Sequence, residues 1–486
     1  MVNHPVIYWF RNDLRLADNP ALTAALQSGS PVVPVFVYCP EDAAEWAPGS
    51  ASRWWLHHSL EALHLQLSNY GASLVIREGR AENVLARLAK DMKASEVFFN
   101  CRYEPWARKQ ENDVQSSLAR TKVEVNAHHS ALLFPPERIT NQSGLAYKVF
   151  TPFWRQLQNA PEPSYPLSKP QSFATLTQAQ IRNIASLSLS DLNLLPAIGW
   201  DAQFPLWWQS GEQAAEAKLD RFLHEGLRHY AQGRDRPDKQ LISMLSPHLH
   251  FGEISVRRIW YAVKNHCLID GSCQNGADAY LRELGFREFA YHLLYHFPQT
   301  TNEPMYYQYK DFPWESDERL LSLWQQGKTG YPIVDAGMRQ LWAIGWMHNR
   351  VRMVVASFLV KDLLMSWQHG AKWFWDTLVD ADLANNTFGW QWAAGSGADA
   401  APYFRIFNPV LQGKKFDPYG AYVRQWVPEL SKLDAKWIHS PWSAPEAVLT
   451  DAGIKLGRDY PFPIVDHKIA RERALAALKT LQQSSQ

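Results

Sequence analysis

Three groups of polar residues stand in otherwise apolar sequence, and each has the makings of a site. In "GWMHNRVRMVVASF" (345–358), helical spacing puts Asn349, Arg352, Met353 and Ala356 on one face, with Arg350 roughly a quarter-turn away. An asparagine and an arginine on an apolar face must be paired or meet a polar ligand, because burying them alone is costly. In "LVDADLANNTFGWQW" (378–392), Asp380, Asp382 and Asn386 come close together, with 382 and 386 one helical turn apart. Two carboxylates there can cap a helix, pair with Arg352, or meet the N–H and hydroxyl groups of a cofactor. In "YLRELGFREFAYH", Glu283 and Arg287 stand at i, i+4, the spacing of an ordinary helix ion pair.

Other motifs mislead. The stretch "NNTFGWQWAAGSG" (385–397) offers an N-x-T sequon, two tryptophans and a run of small residues that passes for a glycine loop. "SLWQQGKTG" (322–330) ends as a phosphate loop does, but Ser322 stands where the first glycine is required and helical sequence precedes it. "HLH" (248–250) and the pairs His57-His58 and His128-His129 have the wrong spacing for metal ligands on one helical face. No nucleophile elbow is present. Hydrolase, kinase and zinc chemistry therefore lack their usual anchors.

The elements that must position these residues follow from pattern and composition. At 486 residues, with 46% apolar and 20% charged residues, the chain is globular and long enough for two domains. A net charge of +1 means that a polyanion must be met by a local basic patch. The 22 tryptophans, as many as the phenylalanines, exceed what packing alone requires. Four scattered cysteines without a C-x-x-C pair argue against disulfides and against metal ligation. The most apolar segment, "VRMVVASFLVKDLLMSW" (351–367), is interrupted by charges and reads as a buried helix. The N-terminus carries no signal-peptide pattern, so a cytoplasmic protein with a silent sequon is expected.

Five short apolar runs, "VIYWF", "PVVPVFVY", "ASLVIR", "EVFFN" and "KVEVNA", alternate with helical stretches and predict a five-stranded parallel, Rossmann-like sheet over residues 1–135. The loop after the first run, "RNDLRLADNPAL", lies at a carboxyl edge, where open α/β sheets hold ligands. Residues 136–203 read as a connector, Pro/Ser/Gln-rich from about 155, and residues 204–486 as an all-α unit.

The long motifs "KTGYPIVDAGMRQLWAIGWMHNRVRMVVASFLVKDL", "GWQWAAGSGADAAPYFRIFNP", "LSPHLHFGEIS", "WFRNDLRLADNPAL" and "FTPFW" closely resemble those of the DNA photolyase/cryptochrome family. The wording is most similar to bacterial cyclobutane pyrimidine dimer photolyases of the class III branch. The resemblance implies FAD in the helical unit and light-driven repair, in which excited reduced flavin lends an electron that splits the dimer. The alternative is a cryptochrome-like blue-light receptor. UV-damaged DNA would be the partner of a monomer that needs no other protein.

Carried over residue by residue, Tyr230, Ser243, Leu245, Ser246, Arg287, Asn349, Arg352, Asp380, Asp382 and Asn386 would bind FAD, with Asn386 opposite flavin N5. Ile242 stands where many relatives have threonine. Glu283, Phe286, Asn349, Met353, Asn386 and Trp392 would do the catalytic work around a flipped lesion, Phe286 replacing a frequent tryptophan. Trp390, Trp367 and Trp314 would carry electrons, with Trp373 and Trp375 as a branch. Arg234, Arg350 and Arg405 would contact phosphates, with Lys414 and Lys415 as weaker candidates. The antenna would be 5,10-methenyltetrahydrofolate, or alternatively 8-hydroxy-5-deazaflavin, although Trp106-Ala107 replaces a folate-holding Asn-Glu pair.

Overall fold

The computed structural model describes residues 4–400 and 404–484. The five apolar runs form one parallel sheet in the order β3-β2-β1-β4-β5: β1 Val6–Phe10, β2 Val32–Tyr38, β3 Val75–Glu78, β4 Glu96–Asn100 and β5 Glu124–His128. Every residue of β1 and β2 is buried, as helices on both faces require. Those helices are α1 Pro20–Gln27, α2 Ser50–Ser68, α3 Ala81–Met92 and α4 Pro105–Ala119. β3 and β5 begin later than the apolar pattern suggests. Their limits are set by the neighbouring strand, with Val75 opposite Val35 and Glu124 opposite Glu96.

The "RNDLRLADNPAL" loop after β1 is a clasp between the two halves of the molecule. Leu14 N donates to Phe251 O (3.1 Å), Arg15 Nη1 to Gly252 O (2.8 Å), and Arg257 pairs with Asp18 (2.6 Å). A Cβ at Gly252 would lie 2.1 Å from Asn12 O, so only glycine permits this approach. The connector is mostly exposed but pinned: Val32 N donates to Ala174 O (2.8 Å) and Ile76 N to Ser186 Oγ (2.9 Å). Its early part is instead a helix, α5 Phe150–Asn159, which buries Phe150, Phe153, Trp154 and Leu157.

The elements that matter next are α6 Ser246–His250, α7 Val256–Ile269, α8 Gln274–His296, α9 Pro332–Ile344 and α10 Asn349–Ser357. They are followed by α11 Trp367–Thr377, α12 Leu383–Ala394, α13 Pro409–Phe416 and α14 His467–Ser484. Segment 351–367 is not one helix. After Ser357 it widens into a π-helical turn over Phe358–Asp362 and breaks at Leu364 (φ 55°). Two wholly buried ionisable groups accompany the change: Lys361 Nζ donates to Ala394 O (2.7 Å) and Asp362 pairs with His467 Nδ1 (2.5 Å). An amine at the carbonyl end of α12 suits the helix dipole, while burial pushes Lys361 well below the usual lysine range.

The cysteine reading also needs correction. Cys267 and Cys273 form a disulfide, because the short turn Gly271–Cys273 between α7 and α8 folds their Cα atoms to 5.7 Å apart. Among the described residues no helix is long and apolar enough to cross a membrane, and no side-chain cluster is arranged to hold a metal.

The segment after β5 docks on α8 through two buried groups: Glu288 accepts from Leu133 N (2.9 Å) and His292 Nε2 from Tyr147 N (3.0 Å). Burial pushes the Glu288 carboxyl from 4.5 up to about 7, against the pull of Arg287 and the Leu133 and Phe134 amides. With the folded pKa above the unfolded one, this group's contribution to stability is full below 4.5 and is lost as the pH rises towards 7. Glu288→Gln, which cannot ionise, should remove a downward slope of up to ~1.4 kcal/mol per pH unit across that window. Urea melts in a pH series check this.

Candidate active site

The decoys resolve first. In the GKTG turn, Asp335 of α9 accepts from Thr329 N and Thr329 Oγ1 (2.7 Å each) and Gly330 N (3.0 Å), so the amides that would cradle a phosphate are occupied. The sequon lies in the first turn of α12, where Asn385 Nδ2 donates to Asp382 Oδ1 (2.7 Å). The run of small residues ends that helix: Gly395 has φ 86°, and Ser396 N and Gly397 N donate to Gln391 O.

Helix α10 starts at His348, whose Nδ1 accepts from Arg350 N (3.2 Å). Val351, Val354 and Val355 are buried, whereas Asn349 is exposed and Arg352 and Met353 are half-buried. The polar face is therefore open. Arg352 Nη2 donates to both oxygens of Asp380 (2.8 and 3.0 Å), and its Nε donates to Met347 O (2.8 Å). The carboxylate expected to pair with it does so.

Asp382 caps α12, as one sequence reading had it. Its Oδ1 accepts from Asn385 N (2.9 Å), while Oδ2 accepts from Tyr291 OH and faces His250 Nδ1 (3.6 Å). Burial alone would raise its pKa, but His250, Arg287 and Tyr291 hold it well below the usual carboxylate range. One turn on, Asn386 N donates to Asp382 O (2.8 Å) and Nδ2 to Ala371 O (3.0 Å), which leaves the carboxamide oxygen as an acceptor.

Trp390 is buried against Phe374 (ring centroids 5.0 Å apart) and Trp324 (6.2 Å), and shares one core with Trp367. Trp314 packs against that core beside Phe312 (4.3 Å). Trp373 stacks on Trp342 (6.1 Å), and Trp375 meets the edge of Trp46 (5.4 Å). Trp392 is half-buried beneath the Arg405 guanidinium, 5.7 Å from the ring centroid.

On α8 the expected Glu283–Arg287 pair does not form. Glu283 binds Arg234 instead, and Arg287 Nη1 donates to Ala131 O (2.9 Å). The helical spacing is right, but the turn after Tyr230–Gly233 brings a nearer guanidinium. Burial raises the Glu283 carboxyl and Arg234 draws it back. Phe286 stacks on Phe150 (3.5 Å) and lies 6.5 Å from Phe388, so three phenylalanines form one platform. Tyr230 and Leu245 are buried, Ser243 accepts from Tyr280 OH (3.0 Å), and exposed Ser246 accepts from Trp346 Nε1 (3.2 Å). Ile242 packs against the core.

Arg234 and Arg350 are not free surface charges: Arg350 Nη2 binds Asp235 (2.9 Å) and its guanidinium lies 4.5 Å over Phe416. Lys414 and Lys415 are exposed on the last turn of α13. Three residues were not singled out from sequence. His250 sits in the "HLH" triplet dismissed for metal binding, and Tyr291 lies two turns beyond Glu283 on α8. Asp235 lies between two arginines in "GRDRPD", an alternation of charge that is itself a signal.

A second cleft lies at the carboxyl ends of β1 and β2 against α11. It encloses about 830 Å³ including its open mouth, and Trp9, Trp46, Trp106 and Trp375 line it with Arg11 and Arg102. Trp46 Nε1 is buried without a hydrogen-bond partner.

Comparison with known proteins bears on both sites. Residues 6–171 match the family model of DNA photolyase, and residues 280–480 that of the FAD binding domain of DNA photolyase. A deoxyribodipyrimidine photo-lyase of Agrobacterium fabrum is 47% identical over 482 residues, 99% of each chain. The chain belongs to the DNA photolyase family. A bacterial class III photolyase structure from Agrobacterium tumefaciens superposes with a TM-score of 0.95 at 47% identity, covering 99% of this chain and 98% of that one. Cryptochrome-1 of Arabidopsis thaliana is 39% identical over 98% of this chain and 70% of its own length. The open polar faces of α10 and α12 fit FAD, the cofactor that family domain binds: acceptors, an ion-paired guanidinium and serine hydroxyls lie beside apolar and aromatic surface.

A Cβ at Gly370 on α11 would lie 2.0 Å from the Trp390 ring. Gly370→Ala should therefore displace Trp390 and cost ~1–3 kcal/mol in urea unfolding.

Proposed function

We propose that this chain is a deoxyribodipyrimidine photo-lyase that uses light to reverse cyclobutane pyrimidine dimers in DNA. The single observation that carries the reading is the Arg352–Asp380 pair beside the open Asn349 and Asn386 faces, in a chain closely similar to named photo-lyases. Bound FAD, reduced and excited by light, supplies the electron that opens the cyclobutane ring and takes it back.

The chain's own groups bind and orient. Tyr230, Ser243, Leu245, Ser246, Arg287, Asn349, Arg352, Asp380 and Asp382 would hold the cofactor. Asn386, its amide nitrogen already donating to Ala371 O, would offer its oxygen to the flavin N5–H and so favour the reduced form. Glu283 would hydrogen-bond the pyrimidine edges, and Phe286, Met353 and Trp392 would wall the flipped lesion and exclude water. Phe150 and Phe388 support Phe286, which offsets its smaller area. Trp390, Trp367 and Trp314 would return the flavin to its reduced state when it is oxidised, with Trp373 and Trp375 as a branch. Arg234, Arg350 and Arg405 would position the DNA backbone, assisted by Lys414 and Lys415.

Residues 1–135 would carry the antenna, residues 136–203 would connect, and residues 204–486 would bind FAD and DNA. The tryptophan-lined cleft suits a flat heteroaromatic antenna, which we take to be 5,10-methenyltetrahydrofolate, with 8-hydroxy-5-deazaflavin as the alternative that an absorption spectrum separates. The working unit would be a cytoplasmic monomer with no obligatory protein partner.

The test is illumination of dimer-containing oligothymidine with reduced protein. Absorbance of restored thymine should rise. Normal flavin photoreduction without any restored thymine would instead favour a cryptochrome-like receptor.

A further inference from the structure

We infer that Asp235 is a specificity-determining residue: with Glu283 it neutralises Arg234 and Arg350, so that the two arginines engage phosphates fully only when a lesion engages Glu283. The inference rests on the reading above that Arg234 and Arg350 contact DNA and that Glu283 meets the lesion.

One carboxylate oxygen serves both arginines. Asp235 Oδ1 lies 2.9 Å from Arg350 Nη2 and 4.0 Å from Arg234 Nε, while Arg234 Nη1 binds Glu283. The four side chains retain between 19% and 35% exposure, enough for DNA to reach them but little enough that screening is incomplete. Arg236, the next guanidinium along, is occupied by Asp238 (2.6 and 2.8 Å) and does not substitute for either.

Within this cluster the charges cancel, Arg234 and Arg350 against Glu283 and Asp235. Undamaged DNA therefore meets little net positive charge from these four side chains. Its phosphates must draw the guanidiniums away from carboxylates that would be left half-buried and unpaired, which offsets most of the gain. A flipped dimer changes the exchange. Its base edges give Glu283 a new hydrogen-bond donor, Arg234 is released, and the phosphate contact no longer strands a carboxylate. Lesion entry and phosphate binding thereby become coupled, each strengthening the other. Asp235 sets the strength of that coupling because its one oxygen serves both arginines: once Glu283 turns to the lesion, Asp235 can pair with the released Arg234 and free Arg350 for a phosphate.

The experiment measures binding of dimer-containing and undamaged duplexes to the FAD-loaded protein in the dark, across a salt series. Wild type is compared with Asp235→Asn, Asp235→Glu and Arg350→Gln, and flavin absorption reports that each is folded. Asp235→Asn should bind undamaged duplex about fivefold tighter, with a steeper salt slope and a correspondingly smaller preference for the lesion. Asp235→Glu should restore the preference. If Arg350→Gln flattens the salt slope by about one while Asp235→Asn changes nothing, the inference is overturned and the DNA reading stands. On dimer-containing duplex, an unchanged slope in Arg350→Gln overturns the phosphate reading and this inference with it.

Discussion

The site depends on one ion pair. Arg352 rises from the open face of α10 to a nearly buried carboxylate, Asp380, two residues before the cap of α12. The pair ties α10 to the loop that leads into α12, and the two helices pack against each other. Its surroundings make it stiff. The Arg352 Nε is held by Met347 O, Asp382 anchors the start of α12 through Tyr291, and Lys361 fastens the far end of that helix. A guanidinium so placed is a poor isolated stabiliser, since removing water from both charges costs about as much as their attraction returns. Its presence is better explained by what it positions.

The two ends of the site use different physics. Inside, polar groups are spoken for one by one: Asn386 by Ala371, Ser246 by Trp346, Ser243 by Tyr280. That leaves the Asn386 carboxamide oxygen and the remaining lone pairs of the two serines as acceptors. At the mouth, Arg234, Arg350, Asp235 and Glu283 hold one another in partly solvated pairs that a polyanion can rearrange. A molecule with a net charge of +1 can bind DNA by such local exchange without a general attraction to every polyanion. Phe286, on the same helix as Glu283, stacks on Phe150 and lies 6.5 Å from Phe388.

Much of this is legible in the sequence, and the failures share a cause. β1 and β4 are found to the residue because a compact apolar run, five residues in β1 and three between Glu96 and Asn100 in β4, leaves no other packing. The shared face of Asn349, Arg352 and Met353 follows from helical geometry alone. The roles assigned to them required the long family motifs, since spacing left a core pair or a cap equally open. What sequence missed are partners that arrive from afar. Glu283 finds Arg234, 49 positions away, before its neighbour on the same helix. Lys361 survives inside the core because a carbonyl 33 residues on receives it, and no local pattern announces that. Cys267 and Cys273 meet through a turn whose tightness spacing alone did not reveal.

The central claim is that the Arg352–Asp380 pair organises a cavity for FAD. The most direct test is the amount of flavin retained per chain when Asp380→Asn is purified beside wild type, with circular dichroism to confirm that both are folded. The account predicts about one FAD per wild-type chain and loss of most of it in the variant, with at least tenfold weaker rebinding when FAD is titrated back. A folded Asp380→Asn protein that keeps its full complement of flavin would contradict it.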